Sequence, residues 1–446
     1  MSVQAVPSSG ETTSSTRPHL RVLLVPDSIH WITGTIARSF VAHNPWLDGI
    51  VISGPVLDII ARDRPEFFDS FDVVHFVCPY ASRTWLPLLR NRLPVITSHH
   101  HVSDDWKTQH HNLEGDAIVV GSSQWADDVV QRGAPAERVV AVAYGVDASR
   151  FVPATPQQRK AARASLGIAS DAIVVGFFAK FSSNELDRKG TDIFALAARA
   201  LSEKEPRLAV LIIGPGWRDL VAQLRAAGVR VVWIPFVREA DRMPLMYQAL
   251  DLYWVTARVE GGPVTLLEAM SSGVCCITTP VGLARDIVQD GVNGVLAPFN
   301  NAGAFVEHSL RLVSASGARA QMGALARETI LETMNVPITA RGVGRAYDIA
   351  IAHFKERSLT PTAGATRKVA SPDSALLDRI AVLEQLVWAE ALMLQGQRAL
   401  ALRIIAETWV KHPLSTLPPR FLFRNLLPPR LVKAIVRVKT GIAGTS

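Results

Sequence analysis

The chain of 446 residues reads as an α/β protein made of two doubly wound series of strands and helices, followed by a helical, basic C-terminal extension. Three observations carry this reading. Short apolar runs of the kind that form strands buried on both faces recur from Arg21 to Ala143 and again from Ile173 to Thr278. Helical or loop segments separate these runs, which is the pattern of helices laid on a parallel sheet. The length itself accommodates two or three domains at about 150 residues each.

In the first series, Arg21 to Pro26 (RVLLVP) is the opening strand. It leads through Asp27-Ser28 to Trp31 and Gly34, and then to a helical segment from Thr35 to Ala42. A glycine that opens a helix just after a strand is what a phosphate-approaching loop needs. Further strands are expected at Gly49 to Ser53, Val73 to Val77, Val95 to Thr97, Ala117 to Val120 and Val139 to Ala143. The second series begins with Ile173 to Phe178 and Lys180. A loop ending in Arg188-Lys189-Gly190 then precedes a helix from Thr191 to Leu201. Leu208 to Gly214, Val231 to Ile234 and Leu252 to Val255 are its next strands, and a helix from Ile338 to Phe354 closes it.

The most informative stretch is Arg258 to Pro298, RVEGGPVTLLEAMSSGVCCITTPVGLARDIVQDGVNGVLAP. Glu260 and Glu268 stand eight residues apart around a Gly261-Gly262-Pro263 turn. Leu266, Leu267, Ala269 and Met270 supply an apolar helical face, Ser271-Ser272-Gly273 stops it, and Val274 to Thr278 is a strand. The turn frees backbone N–H groups at a helix N-terminus, where dipole and unpaired donors favour a phosphate. Eight residues exceed two helical turns slightly, so Glu268 belongs inside the helix and Glu260 at its mouth. The bland alternative is a surface helix with two solvated glutamates and ordinary turn glycines.

Composition narrows the function classes. Hydrophobic content of 48% with 20% charged residues is ample for large cores. Three cysteines, Cys78, Cys275 and Cys276, form no disulfide framework, which points to a reducing compartment. Residues 1–19 are rich in Ser, Thr and Pro without an apolar run, as expected of neither a signal peptide nor an anchor. No apolar stretch approaches the roughly 20 residues of a membrane-spanning helix.

The net charge of +7 is concentrated at one end. Beyond Glu407 no Asp or Glu follows, while Lys411, Arg420, Arg424, Arg430, Lys433, Arg437 and Lys439 do. No aromatic-interleaved or recognition-helix pattern accompanies them, so nucleic acid is not the expected partner. Phe421, Leu422, Phe423, Leu426 and Leu427 alternate with these cations, and Pro428-Pro429 divides the segment into two short amphipathic pieces. That composition suits an anionic membrane surface through residues 413–446, the alternative being a groove on the protein body.

The composite of Glu260, the Glu268-Ala269-Met270 triplet, Gly273, Gly282, Asp290-Gly291 and Asn293-Gly294 resembles the E-x7-E signature of retaining nucleotide-sugar glycosyltransferases of family 4. Tyr144-Gly145-Val146-Asp147 with Phe151 and Pro153 resembles the same family's hinge, with Tyr144 where Asn is usual. The resemblance covers about residues 20–355. It implies the GT-B fold, two Rossmann-like doubly wound domains facing a central cleft. The expected division is a polar N-terminus (1–19), an acceptor-side domain (20–155), a nucleotide-sugar domain (156–355), a linker (356–374) and the extension (375–446). Leu376 to Leu394 and Gln397 to Lys411 read as an ordinary helix pair.

The resemblance also implies roles. Glu260 is expected near the donor sugar or its anomeric carbon, and Glu268 at the ribose hydroxyls. Lys180 and Lys189 stand where the family holds the diphosphate. Lys180, in place of a more frequent Arg, is a point charge and could equally be a solvated strand-end lysine. Gly262, Pro263 and Val264 would line the phosphate, with Gly262 and Val264 as backbone donors because Pro263 has no N–H. Arg258 either assists the phosphate or makes a salt bridge, and Gly34 lines the donor side from the first domain. His99, in Pro94 to His101 (PVITSHHH), best matches a histidine facing the transferred sugar, with His100 the nearest alternative. Adjacent strand residues point to opposite faces, so the histidine run chelates poorly and no metal or other cofactor is expected. The resemblance therefore implies a hexosyltransferase acting in envelope or exopolysaccharide synthesis. Its donor would be a nucleotide-diphosphate sugar and its acceptor a glycan or lipid-linked molecule. The expected location is cytoplasmic, on the inner face of the plasma membrane where the tail docks. A catalytically silent sugar-nucleotide binder with a partner-recruiting tail and a nucleotide-sugar epimerase are the alternatives.

Overall fold

The computed structural model describes residues 17–100, 110–181, 186–235, 237, 242–358, 372–394 and 397–411. Two six-stranded sheets carry the fold. The first contains β1 (Leu20–Val25), β2 (Leu47–Val51), β3 (Val73–Phe76), β4 (Val95–His99), β5 (Ala117–Val120) and β6 (Val139–Ala141), in the order β2-β1-β3-β4-β5-β6. The second contains β7 (Ile173–Phe178), β8 (Leu208–Ile213), β9 (Arg230–Ile234), β10 (Leu252–Val255), β11 (Cys275–Thr278) and β12 (Val295–Leu296), in the order β12-β11-β10-β7-β8-β9. The register runs parallel in both, for example Ile173 opposite Leu208 and Leu252 opposite Val175. Every position of β7 and of β8 is buried, which explains why these strands read as unbroken apolar runs.

The strand orders locate the places where a ligand can enter. Each sheet starts in its middle, builds outward to one edge, and then returns to build the other side. The reversal falls between β1 and β3 in the first sheet and between β7 and β10 in the second. At such a switch point the loops leaving neighbouring strands diverge and open a crevice beyond the strand C-termini.

By contacts the chain divides into two compact units, at the start of β4. Among the described residues, one comprises Arg17, 42–44 and 96–355, and the other 18–41, 45–95 and 356–411. Within the former, the hinge segment is tied to the end of the second series. Val146 and Asn335 form a parallel bridge, and Arg327 donates to the carbonyls of Ala148, Phe151 and Ser271. The helix expected from Ile338 to Phe354 is two helices, Val336–Arg341 and Gly344–Ser358, because Gly342 and Gly344 weaken helical continuity between them. Helical structure therefore runs to Ser358, past the expected start of the linker at 356.

In the second unit, the first helix of the extension, Ser374–Leu394, is part of the core. Leu376, Ile380 and Leu383 pack with Val56, Leu57 and Ile60 of the helix Gly54–Asp63. Glu384, 4% exposed, accepts the Ser53 backbone N–H at 2.6 Å, at the N-terminus of that helix. One turn later Trp388 stacks on His30 with ring centroids 4.8 Å apart. The following helix, Arg398–Lys411, packs on the first through Ala389, Leu392, Ala401 and Ile405. No helix among the described residues is long and apolar enough to cross a membrane. The basic tail assigned to a membrane surface, 413–446, lies outside the described residues, as does the N-terminal segment 1–16.

Burial raises the Glu384 carboxyl above its ordinary range, opposed by its bonds to Ser53. A carboxyl raised in the folded state leaves stability intact below its unfolded value of about 4.3 and erodes it as pH climbs through the folded value. Glu384→Gln keeps an acceptor for Ser53 without a titrating charge. Its melting temperature should match the parent's near about pH 4 and exceed it increasingly toward about pH 8. A constant difference across that range would show that Glu384 does not titrate in its dock.

Candidate functional site

The second sheet's switch point gathers most of the residues singled out by sequence. Strand β7 exits into Ala179 and Lys180, and β10 exits into Thr256 through Glu260. Between them the short helix Leu186–Lys189 ends at Gly190, whose φ is +60°. A side chain at Gly190 would place its Cβ 2.0 Å from the Thr256 carbonyl oxygen, so only glycine permits this approach. The Thr256 hydroxyl bonds to the carbonyls of Lys189 at 3.0 Å and Gly190 at 2.8 Å. The N–H groups of Arg258 and Val259 donate to the Arg188 carbonyl at 2.8 and 3.2 Å.

This backbone stitching delivers two cations to one carboxylate. Lys189 Nζ pairs with Glu260 Oε1, and Arg188 Nη1 lies 3.8 Å from Oε2. The Glu260 side chain is only 12% exposed. A carboxylate so enclosed needs charge partners, since desolvation alone would drive it to its neutral form.

Arg258 faces the other way. Its guanidinium forks onto Asp192, with Nη1 and Nη2 at 2.9 and 2.7 Å from the two oxygens, and its Nε meets Asn300. The hydrogen bond from Arg258 holds the Asp192 carboxyl below its ordinary range. Of the two roles open to Arg258, the structure shows the salt bridge, which pins the start of the helix Thr191–Lys204.

The Glu260–Pro263 turn is gripped by its backbone. A Cβ at Gly261 would lie 1.5 Å from the His100 carbonyl oxygen. Gly282, with φ +51°, would put a Cβ 2.3 Å from the Glu260 carbonyl oxygen. Trp125 Nε1 donates to that same oxygen at 2.8 Å, and Leu283 N–H donates to the Gly261 carbonyl at 3.2 Å. Pro263 then caps the helix Val264–Ser271, whose first intrahelical bond runs from Leu266 N–H to the Pro263 carbonyl at 2.7 Å. The helix mouth, with Val264 at its first position, thus starts immediately beyond the Lys189–Glu260 pair.

Glu268 sits one turn into that helix. Its Oε2 accepts the Tyr247 hydroxyl at 2.5 Å. Burial pushes its carboxyl up to about 7, against the Tyr247 bond and the Arg150 charge, which pull it down. Tyr247 is itself fully buried, packed edge-on against Phe151 and Phe178.

The two candidate histidines part company. His99 ends β4 and is fully buried, while His100, one residue on, is half-buried beside the Glu260 turn. His100 Nδ1 meets the Tyr144 hydroxyl, with the ring centroids 5.2 Å apart. His101 lies outside the described residues. Lys180 is exposed just past β7, and Gly262 lies against the Tyr144 ring. Gly34 belongs to the other compact unit, on the helix Ile32–His43, where a Cβ would meet the Ile29 backbone at 2.5 Å.

Sequence reasoning did not single out Arg188, Trp125 or Tyr247. Arg188 had a signal, as the neighbour of Lys189 in a charged turn. Trp125 and Tyr247 had none, because they reach Glu260 and Glu268 through tertiary contacts with no local spacing.

Comparison with known proteins bears on this half of the chain. Residues 158–329 match the family described as Glycosyl transferases group 1, and the matched stretch contains both glutamates and both lysines. The D-inositol 3-phosphate glycosyltransferase of Salinispora tropica is 31% identical over 226 residues, 47% of this chain and 46% of that protein. The lipopolysaccharide core biosynthesis mannosyltransferase LpsB of Rhizobium meliloti is 30% identical over 200 residues, 39% of this chain and 52% of that protein. The chain thus spans about half the length of these curated relatives. Among solved structures, Anabaena HepE in complex with UDP and glucose aligns with a TM-score of 0.63 at 17% identity, over 74% of this chain and 100% of that one. The fold is GT-B, two Rossmann-like halves each built on a parallel six-stranded sheet, as expected from the sequence.

Gly261→Ala must push the turn off His100 and should lower unfolding stability by about 1–3 kcal/mol. Gly317→Ala, with nothing within 4 Å of its added Cβ, is the control and should be neutral or slightly stabilising. Chemical denaturation measures both, and equal behaviour of the two variants would show that the Gly261 approach is not a constraint.

Proposed function

We propose that the chain is a retaining glycosyltransferase that moves a sugar from a nucleoside-diphosphate donor to a glycan or lipid-linked acceptor in envelope or exopolysaccharide synthesis. The observation that carries this reading is the Lys189–Glu260 pair, set at the second sheet's switch point and at the mouth of the helix Val264–Ser271. Cations, a carboxylate and free helix N–H groups there match the three parts of a sugar diphosphate. The names of the relatives support it: one is a mannosyltransferase, and HepE was crystallised with UDP and glucose.

In this reading the donor's diphosphate takes Lys189 and Arg188 from Glu260, and the backbone at Gly262 and Val264 closes on a phosphate oxygen beside Pro263. Glu260, released from its cations, turns to the sugar hydroxyls or to the positive charge developing at the anomeric carbon. Lys180, exposed at the end of β7, adds charge to the departing phosphate. Glu268 accepts the ribose hydroxyls from inside the helix. The anomeric C–O bond to phosphate breaks as the acceptor oxygen bonds to the same face, and the acceptor's proton passes to the leaving phosphate oxygen. Lys189, Arg188 and the helix mouth stabilise the leaving charge, so the scheme requires no metal. The proposed site of action is the cytoplasmic membrane surface, with residues 413–446 as the contact.

Titrating UDP-, GDP- and ADP-sugars into the protein tests the reading, followed by an assay for sugar release. Binding without any turnover would leave a silent binder, and interconversion of the sugar an epimerase. Lys189→Ala should weaken nucleoside diphosphates relative to the nucleoside, with a loss that shrinks as salt rises. Equal weakening of both would make Lys189 a structural residue. Glu260→Gln no longer competes for Lys189, so turnover should fall while affinity for the free diphosphate holds or improves. Ribose hydroxyls favour an ionised Glu268, whose carboxyl burial pushes up to about 7. Nucleotide affinity should therefore rise with pH through that value and flatten above it, and Glu268→Gln should remove this dependence.

A further inference from the structure

Glu268 spans two environments. The residue is half-buried, whereas Tyr247, whose hydroxyl donates to Oε2 at 2.5 Å, is fully buried. One side of the carboxylate therefore belongs to the core, and the other stays open to a ligand. Tyr247 comes from the helix Met243–Gln248 and is fixed through its ring. Phe178, Phe151 and Tyr253 surround that ring at centroid distances of 4.8, 5.6 and 5.8 Å. A ring held by three others presents its hydroxyl at a set point, and that point is the Glu268 side chain.

Among the described residues no other donor bonds to Glu268. Tyr253 on β10 and Cys276 on β11, in the same buried cluster, are kept protonated by burial, and Arg150 acts on Glu268 through its charge. Arg327, on the neighbouring helix Ser316–Thr329, is engaged by the carbonyls of Ala148, Phe151 and Ser271. Burial, and then the Glu268 charge, hold the Tyr247 hydroxyl well above its ordinary range, so it keeps its proton and donates. A bond donated to a carboxylate favours the charged form. We infer that Tyr247 is a positioning residue for the donor's ribose: its hydroxyl holds Glu268 Oε2, keeps that group a hydrogen-bond acceptor, and leaves Oε1 for a ribose hydroxyl. This rests on the glycosyltransferase reading above, which gives Glu268 the ribose. It assigns a core tyrosine a share in donor affinity that packing alone would not require.

Tyr247→Phe keeps the ring among its three neighbours and removes only the hydroxyl. Tyr253→Phe is the control, because its hydroxyl lies in the same cluster but accepts the Phe178 N–H at 3.4 Å and meets Thr265. The experiment measures UDP and GDP affinity against pH, with melting temperatures, for the parent, both variants, Glu268→Gln and the double variant Tyr247→Phe/Glu268→Gln. Losing the donor raises the pH at which Glu268 ionises, so affinity falls on the acid side and returns on the alkaline side. With whichever nucleotide the parent binds, Tyr247→Phe should bind about tenfold more weakly near about pH 6 and like the parent near about pH 9. Tyr253→Phe should keep the parent's curve, and the double variant should bind with no pH dependence. A Tyr247→Phe curve that coincides with the parent's overturns the inference, as does a loss equal at every pH or an equal displacement by Tyr253→Phe. If Tyr247→Phe does not fold, the double variant decides. Its folding shows that the hydroxyl serves the Glu268 charge and supports the inference, and its failure shows a packing role and overturns it. A parent that binds neither nucleotide fails the glycosyltransferase reading itself. Affinity that Glu268→Gln leaves unchanged at every pH fails the ribose assignment, and both outcomes are visible before Tyr247 is touched.

Discussion

A carboxylate enclosed by protein survives as a charge only where cations are held against it, and this half of the structure is arranged around one such case. Glu260 is paired with Lys189 and approached by Arg188, all three from backbone segments that contact one another directly. The grip on Gly190 by Thr256 brings the cations to β10's exit, while Gly261 and Gly282 bring the carboxylate to the same place. Each approach is closed to any residue with a Cβ. Breaking such a pair would leave a desolvated charge without compensation, which costs far more than the pair itself contributes. Two cations thus face one carboxylate, and in the proposed function a diphosphate enters by replacing Glu260 as their partner.

In the proposed function that exchange links binding to chemistry: Glu260 engaged by Lys189 does not at the same time face a sugar, and the arriving phosphates are what would release it. Glu268 is tuned by a different means, burial beside Tyr247, and rests near the point where it changes charge at neutral pH. Two glutamates on one turn-and-helix unit therefore have separate controls: one by ion pairing, one by desolvation.

Much of this was legible in the sequence, for physical reasons. Ile173–Phe178, Ala117–Val120 and Leu252–Val255 are strands over the same residues that their apolar runs mark, since strands buried on both faces leave no ambiguity of period. The helix after Pro263 and its stop at Gly273, with φ +68°, follow from local chemistry. What was not legible depends on distance in the chain. The two-residue β12 is too short to show a period. Arg258 reads as either a cation near phosphate or half of a salt bridge, and its partner Asp192, 66 residues away, shows only in the fold. The packing of the first extension helix into the Val56–Ile60 core, through Leu376, Ile380 and Leu383, has no trace in local patterning. The different settings of His99 and His100 appear only at the end of β4, where His99 is buried in the sheet and His100 meets Tyr144.

The most direct test of the account is a crystal structure of the protein with UDP or GDP, whichever binds. The account predicts that Lys189 Nζ lies on the terminal phosphate, that Glu260 has left Lys189, and that Glu268 accepts from the ribose. A nucleotide bound elsewhere, or bound here with the Lys189–Glu260 pair intact, would contradict it.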